Sequence, residues 1–529
     1  MDKKLLRSYI FRHLDGVVVP PVLHQLSQKG ILEFVLQNGS LDLEKIAEEF
    51  NANEGYLNVA LRILASQGYL NYELNNSENT VKISTHENSE KAFSFAGIYQ
   101  NLAEFLSDEE LISSQAISDE LGRKWMKIYE KYRSDLLENR LENSLEYQIQ
   151  KHIEGVLISP IIVKLGMSGM FHKYFMEASF SADEFHKNPE CFEQLLEALA
   201  ELGWFSRKGR NFQFTETGLF FARRASAYGV TVSYLPMFAK MENLLFGRAN
   251  EIREVEMGEE EIHVNREMNV WGSGGAHSTY FKVLDEFIIE IFNRPLEDQP
   301  KGILDMGCGN GTLLQHLYDV IDRQTLRGKH LDEHPLFLVG ADYNKAALKV
   351  TRANLIKSDI WAKVIWGDIG NPKLLSDDLK SDYDIHLGDL LNIRTFLDHN
   401  RIWEDVSDLG KNRISSSTGA FAFRGKRLSN SEVEENLLQH LKKWTPYVEK
   451  FGLLVIELHT LPPQLTAENL GKTAATAYDA THGFSDQYIV EVDVFHRICK
   501  EAGLNPDGNL FKKFPDSELA TVSINLLKR

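Results

Sequence analysis

Cysteine is scarce: three in 529 residues, at Cys191, Cys308 and Cys499, odd in number and far apart. A disulfide framework and a zinc motif both need more cysteines or closer spacing, and a reducing cytoplasm is the expected compartment. Missing too is any apolar run of the roughly 18 residues that a membrane helix needs. The opening MDKKLLRSYIFRHLDG begins with basic residues, but Arg7, Arg12, His13 and Asp15 interrupt any apolar stretch, so it does not read as a secretory signal. Positive charge is in deficit, with a formal net charge of −18. General nucleic-acid binding needs a basic surface and is disfavoured. Hydrophobic residues at 43% and charged residues at 25% leave no sign of a disordered or fibrous chain. The length exceeds what one hydrophobic core supports, which predicts two or three domains.

What is present first is a repeat. RHLDGVVVPPVLHQLSQKG from Arg12 aligns with KHIEGVLISPIIVKLGMSG from Lys151, pairing His13 with His152, Gly16 with Gly155, Pro21 with Pro160 and Gly30 with Gly169. Both copies continue into a helical pattern ending LASQGYL or LAELGWF and then a short β-like stretch. Helices followed by a two-stranded wing predict two winged-helix-like repeats, over 1–90 and 146–225. A winged helix can read DNA, but EKIAEEFNANEGYL and SADEFHKNPECFEQL are too acidic for phosphate. A structural role, in dimerisation or as a wall of a substrate cavity, is expected. Residues 91–145 read as connecting helices and 226–295 as a helical connector that covers a cofactor, broken by a glycine-rich loop, WGSGGAH, from Trp271 to His277.

From 296 to 529 the pattern alternates strands and helices, as an α/β fold of the Rossmann type requires. GILDMGCGNGTLLQHLYDVI from Gly302 is a short apolar strand, a glycine turn and a helix. Glycines let the backbone approach a ligand, and a helix N-terminus favours polar or anionic groups. The turn, D-x-G-x-G-x-G with Asp305, Gly307, Gly309 and Gly311, resembles motif I of class I S-adenosylmethionine-dependent methyltransferases. There the acidic residue meets the amino-acid part of the cofactor. LFLVGADYN ends in Asp342, placed to accept hydrogen bonds from ribose hydroxyls. VIWGDI ends in Asp368, where methyltransferases commonly hold the adenine amino group. Their neighbours Tyr343 and Ile369 are expected at the cofactor as well. YDIHLGDLL from Tyr383 reads as a fourth strand ending in Asp389, GLLVIELHTLPP as a fifth, and LATVSINLLKR as the last, with a lid inserted at about 395–440.

Three segments resemble one group more closely: RTFLDHNRIW, VIELHTLPP and DATHGFSDQYIVEVDVF. They are similar to the methyltransferase domains in loading modules of polyketide synthases, such as those of apratoxin and saxitoxin assembly. The resemblance extends over most of the chain. It implies one divalent metal, iron or manganese, and C-methylation of a malonyl unit on an acyl carrier protein. It points to His459, His482 and Gln487 as ligands, with Asp398, His399 and His459 as the catalytic set and His399 as the base. His277 is a further candidate ligand. Imidazoles with amide or carboxylate oxygen suit a first-row transition metal, which would chelate both carbonyl oxygens and stabilise the enolate. In the loading modules an acyltransferase-like and a carrier domain follow. The end at Arg529 therefore predicts a stand-alone enzyme or an excised domain, and leaves a free small-molecule acyl substrate open beside the carrier-bound one.

A cluster in KNRISSSTGAFAFRGKRL, comprising Lys411, Arg413, Arg424, Lys426 and Arg427 without an acidic residue, is expected either to receive a carrier protein or to be a solvated lid loop. Two other functions stay open. One is a metal-independent O- or N-methyltransferase of a small natural product, with the winged helices serving to form a homodimer. The other is a winged-helix nucleic-acid-binding regulator.

Overall fold

The computed structural model describes residues 2–113, 117–174, 179–252, 261–406 and 413–529. Each repeat folds as a long helix, a short helix, a strand, two helical segments and a hairpin. The first comprises helices Lys3–Gln28, Ile31–Asn38, Leu43–Glu49 and Glu54–Ser66 with strands β1 (Ser40–Asp42), β2 (Leu70–Asn75) and β3 (Thr80–Thr85), ordered β1-β3-β2. The second comprises Leu145–Met167, Met170–Tyr174, the 3-10 turn Ala182–Glu184 and Pro189–Glu201 with β4 (Phe180–Ser181), β5 (Phe205–Lys208) and β6 (Asn211–Phe214), ordered β4-β6-β5. Among the described residues, four helices between Ser89 and Leu137 join the copies.

The two long helices cross at the paired glycines. A Cβ on Gly16 would lie 2.6 Å from the His152 carbonyl oxygen, and one on Gly155 would lie 2.4 Å from that of His13. Only glycine permits so close a backbone approach. The paired histidines make matching contacts: His13 Nδ1 lies 2.9 Å from the Tyr228 hydroxyl, and His152 Nδ1 lies 2.9 Å from that of Tyr99. The repeat visible in the sequence is thus a pseudo-twofold contact inside one chain.

WGSGGAH forms no loop; it lies within the helix Arg266–Phe292. Glycine there serves packing: a Cβ on Gly272 would meet the Val230 nitrogen at 2.6 Å, and one on Gly229 would meet the Gly272 Cα at 2.5 Å. The side chain of His277 lies outside the described residues.

The C-terminal half is built on a seven-stranded sheet. Its strands are β7 (Gly302–Met306), β8 (Phe337–Asp342), β9 (Lys363–Trp366), β10 (Leu390–Thr395), β13 (Leu453–Leu458), β14 (Asn505–Phe514) and β15 (Val522–Lys528). A hairpin of β11 (Phe421–Phe423) and β12 (Lys426–Leu428) stands apart from it. The order is β14-β15-β13-β10-β7-β8-β9, parallel except for β15, which runs antiparallel between β13 and β14. The order reverses between β7 and β10, and ligands of open α/β sheets bind at the carboxyl edge of such a switch point. Two apolar clusters flank the sheet, around Leu304, Leu441 and Val455 on one face and around Ile303, Leu314 and Ile456 on the other. The core of the N-terminal half runs on into Ala474, Ala477, Ala480 and Phe484 of the C-terminal half, so the two halves share a core. Among the described residues no helix is long and apolar enough to cross a membrane, and all three cysteines are free.

The helix crossing has a measurable consequence. Gly16→Ala and Gly155→Ala are each expected to cost about 1–3 kcal/mol through overpacking, read as a lower denaturant midpoint. Gly97→Ala, in a helix where a Cβ would meet nothing within 4 Å, is the control and is expected to be neutral or slightly stabilising.

Candidate functional site

The cofactor loop follows β7, and Gly307, Gly309 and Gly311 all have positive φ, at 82°, 55° and 80°. A side chain would be strained at each, and a Cβ on Gly309 would meet nothing within 4 Å, so the backbone lies open to a ligand. Asp342, at the carboxyl end of β8, closes the turn: its Oδ2 accepts from the Gly309 N–H at 3.0 Å and its Oδ1 from the Asn344 N–H at 2.8 Å. Asp305 is buried, and its Oδ1 has no hydrogen-bond partner among the described residues. Burial, helped by the neighbouring Asp342 charge, pushes the Asp305 carboxyl up to about 7. A buried acceptor of this kind suits the cationic amino group of S-adenosylmethionine, so the residues present fit that cofactor.

Tyr343 is exposed, its ring 5.5 Å from that of Trp366. Asp368 accepts from the Gly370 N–H at 2.7 Å, and the Ile369 carbonyl accepts from the Trp444 indole at 2.7 Å. Asp389 requires a correction. The fourth strand begins at Leu390, so Asp389 precedes it, at the opposite edge of the sheet from the glycine loop. There its carboxylate is paired with Lys301 at 2.7 Å and Lys450 at 3.2 Å.

A second constellation gathers at the carboxyl ends of β10 and β13. A Cβ on Gly307 would meet Leu397 at 2.9 Å, so the segment after β10, which also carries His399, packs on the cofactor loop through Leu397. The His399 Nδ1 is bound by the Glu457 carboxylate, which also accepts from the His399 backbone N–H at 3.2 Å. The ring of His399 lies 5.0 Å from that of His482, edge to face. The His482 Nδ1 donates to the Tyr478 carbonyl at 2.7 Å, and burial, with the nearby His399, pushes this ring down to about 3, so it is neutral. Gln487 joins them: its backbone N–H donates to the His482 carbonyl and that of Tyr488 to the His399 carbonyl. The Gln487 amide donates through Nε2 to Tyr234 and Ser485, at 3.1 and 2.9 Å. Two imidazoles thus have Nδ1 anchored and Nε2 without a hydrogen bond among the described residues, beside a glutamine whose amide nitrogen is fixed.

Two expected residues take other parts. His459 follows β13 but is fully buried, with Nδ1 2.9 Å from the Val490 carbonyl and Nε2 2.7 Å from the Ser523 hydroxyl. Both ring nitrogens are engaged, which leaves no lone pair for a metal or a proton in this arrangement. Asp398 is locked between Arg394 at 2.6 Å and His440 at 2.9 Å. Burial alone would raise its carboxyl, but the Arg394 charge outweighs that and holds it below the usual range, so it is a structural anion and not a base. Glu457 was not foreseen, although a lone acid inside the apolar strand LLVIEL was its signal. Two members of the basic cluster are spent inside the chain: Arg413 pairs with Glu434, Glu435 and Glu501, and Arg427 with Glu54 and the Asn79 carbonyl. Lys411 lies outside the described residues, and Arg424 and Lys426 are exposed.

The state of Asp305 predicts a pH dependence. The cationic cofactor binds the ionised carboxylate, so its affinity should fall roughly tenfold per unit as pH drops below about 7 and level off above it. Calorimetry across that range should show proton release on binding. Asp305→Asn should weaken binding and flatten the profile; an unchanged profile would show that Asp305 does not meet the cation.

Three family models match the chain: the AprA N-terminal domain over residues 6–72, the AprA winged helix domain over 154–248 and the AprA MT2-like domain over 261–525. No curated protein matches it. Similar solved structures include a putative O-methyltransferase from Nostoc punctiforme, at 12% identity over 73% of this chain and 100% of that one with a TM-score of 0.41. Mitomycin 7-O-methyltransferase matches at 13% identity over 73% and 97%, with a TM-score of 0.40. Human N-acetylserotonin methyltransferase, solved with S-adenosylmethionine, matches at 13% over 74% and 100%, with a TM-score of 0.38. With its motif I loop, its class I sheet and a family model spanning half of its length, the chain belongs to the AprA MT2-like family and is an S-adenosylmethionine-dependent methyltransferase.

Proposed function

We propose that this enzyme C-methylates a malonyl-type, β-dicarbonyl acyl substrate, on an acyl carrier protein or free, in polyketide or related biosynthesis. In this reading His399, His482 and Gln487 hold one divalent transition metal, iron or manganese. The observation that carries it is the pair of imidazoles with anchored Nδ1 and open Nε2. A carboxylate or carbonyl on the second nitrogen is what orients metal-bound histidines, and two imidazoles with an amide oxygen form a donor set that suits iron or manganese. Such a metal supplies Lewis acidity toward the two carbonyl oxygens of the acyl group. Glu457 fixes the His399 tautomer with its Nδ1 protonated and its Nε2 lone pair free. Burial keeps His482 neutral. Tyr234 and Ser485 hold the Gln487 amide so that its Oε1 is the free atom.

The His399–Glu457 pair also supports a second reading, a metal-independent methyltransferase. There His399 Nε2 removes the acceptor proton and Glu457 stabilises the resulting imidazolium. A nucleic-acid role draws little support, because the helix of the first repeat that would enter a groove, Glu54–Ser66, is buried from Gly55 to Ser66. The three free thiols suit a reducing cytoplasm.

Elemental analysis separates the readings. The metal reading expects about one iron or manganese per chain, lost in His482→Ala and Gln487→Ala while cofactor affinity stays within about twofold. His459→Ala should keep the metal but melt earlier, since it leaves the buried Val490 carbonyl without its partner at about 1–3 kcal/mol. A metal-free wild type that methylates undiminished after chelation would sink the metal reading; a loss of activity confined to His399 and Glu457 variants would then establish the base.

A further inference from the structure

The helix Glu54–Ser66 of the first repeat lies along the segment that carries His482 and Gln487 and touches it at nearly every turn. The Tyr56 hydroxyl donates to Asp486 at 2.7 Å. Val59 is seated so closely on Gly483 that a Cβ there would come within 2.8 Å. Gln67, just past the helix, donates to the Thr476 hydroxyl at 2.9 Å. At the centre is Arg62, 1% exposed. Its Nε donates to Asp479 Oδ2 at 3.0 Å, and its Nη2 to the Thr460 hydroxyl at 3.0 Å and the Leu461 carbonyl at 2.6 Å. Its Nη1 donates to the Thr418 carbonyl. The Thr460 hydroxyl in turn donates to Asp479 Oδ1 at 2.6 Å.

One guanidinium therefore ties together three separate pieces of the catalytic half. Thr418 belongs to the inserted lid, Thr460 and Leu461 follow β13, and Asp479 sits on the helix Ala475–Gly483, one turn before His482. Arg62 also borders, with Gln487, Thr460 and Phe421, a small cavity of about 10 Å³. We infer that Arg62 is a positioning residue for methyl transfer, contributed by the N-terminal repeat, which sets the helix bearing His482 and the loop bearing Gln487 against the lid. This inference rests on the reading that His482 and Gln487 belong to the reacting site. A planar, five-donor fork suits the task; a lysine ammonium in its place keeps the buried charge but cannot reach all three segments.

The test is steady-state kinetics, cofactor binding and thermal unfolding of the full chain for Arg62→Lys, Arg62→Ala, Asp479→Ala and the Arg62→Ala/Asp479→Ala double variant, with His482→Ala alongside. A misplaced site should lower kcat on the order of tenfold or more, with cofactor Kd within about twofold and with the double variant no worse than the worse single one. Where Arg62→Ala does not fold, Arg62→Lys carries the same test. Wild-type kcat in folded Arg62→Lys, while His482→Ala is inactive, overturns the inference and leaves the site reading intact. Proportional loss of kcat, cofactor affinity and melting temperature also overturns it, since that marks a residue that only supports folding. Full activity in His482→Ala removes the site reading on which the inference stands.

Discussion

A guanidinium taken out of water is costly to the fold unless its charge and its donors are satisfied. Arg62 meets that demand by reaching across the boundary between the two halves of the chain, to Asp479 and to three acceptors in two loops. The rest of the catalytic half is arranged around this obligation. The β11–β12 hairpin lies against the helix Glu54–Ser66 that carries Arg62, where the Gly55 N–H donates to the Gly425 carbonyl at 2.9 Å. The N-terminal core continues without a break into the helix that carries His482. The winged-helix half is consequently a structural wall of the catalytic half and shares its core.

The electrostatics of the site follow a similar division. Buried charges such as Asp398, held through Oδ1 by Arg394 and His440, keep the backbone of the β10 loop in place. Groups left with an open atom cluster at the switch point: Asp305 Oδ1 and the Nε2 atoms of His399 and His482. Burial keeps the His482 ring neutral and drives the Asp305 carboxyl toward neutrality. The proton state of Asp305 thus responds to what binds, as a site for a cationic cofactor requires.

Much of this was legible in the sequence where the signal is local. The glycine turn and Asp342 are short-range features, and the repeat shows itself by a constant offset between equivalent residues. Asp389 was misplaced because YDIHLGDLL carries apolar residues on both sides of the true strand start, and strand boundaries are set by pairing with β7 and β13. WGSGGAH looked like a loop because glycine usually breaks helices; the close crossing with Gly229 reverses that preference, and crossings are not written in local sequence. The difference between His459, engaged at both ring nitrogens, and His399 has the same origin. Both follow a strand at the same edge of the sheet, and only the positions of Val490, Ser523 and Glu457, distant in sequence, decide which ring keeps a free nitrogen.

The crossing at Gly16 and Gly155 has a different kind of consequence. Where two identical chains meet at a twofold axis, every substitution is made twice, and a face recruited for a new purpose is recruited on both sides. Placing both copies on one polypeptide removes that constraint. Here the helix Glu54–Ser66 is committed to the site, whereas its counterpart Pro189–Glu201 packs on the connecting helix Asp119–Leu137. Duplication within the chain has let a symmetric contact become an asymmetric tool, one copy specialised toward chemistry and the other left as its scaffold.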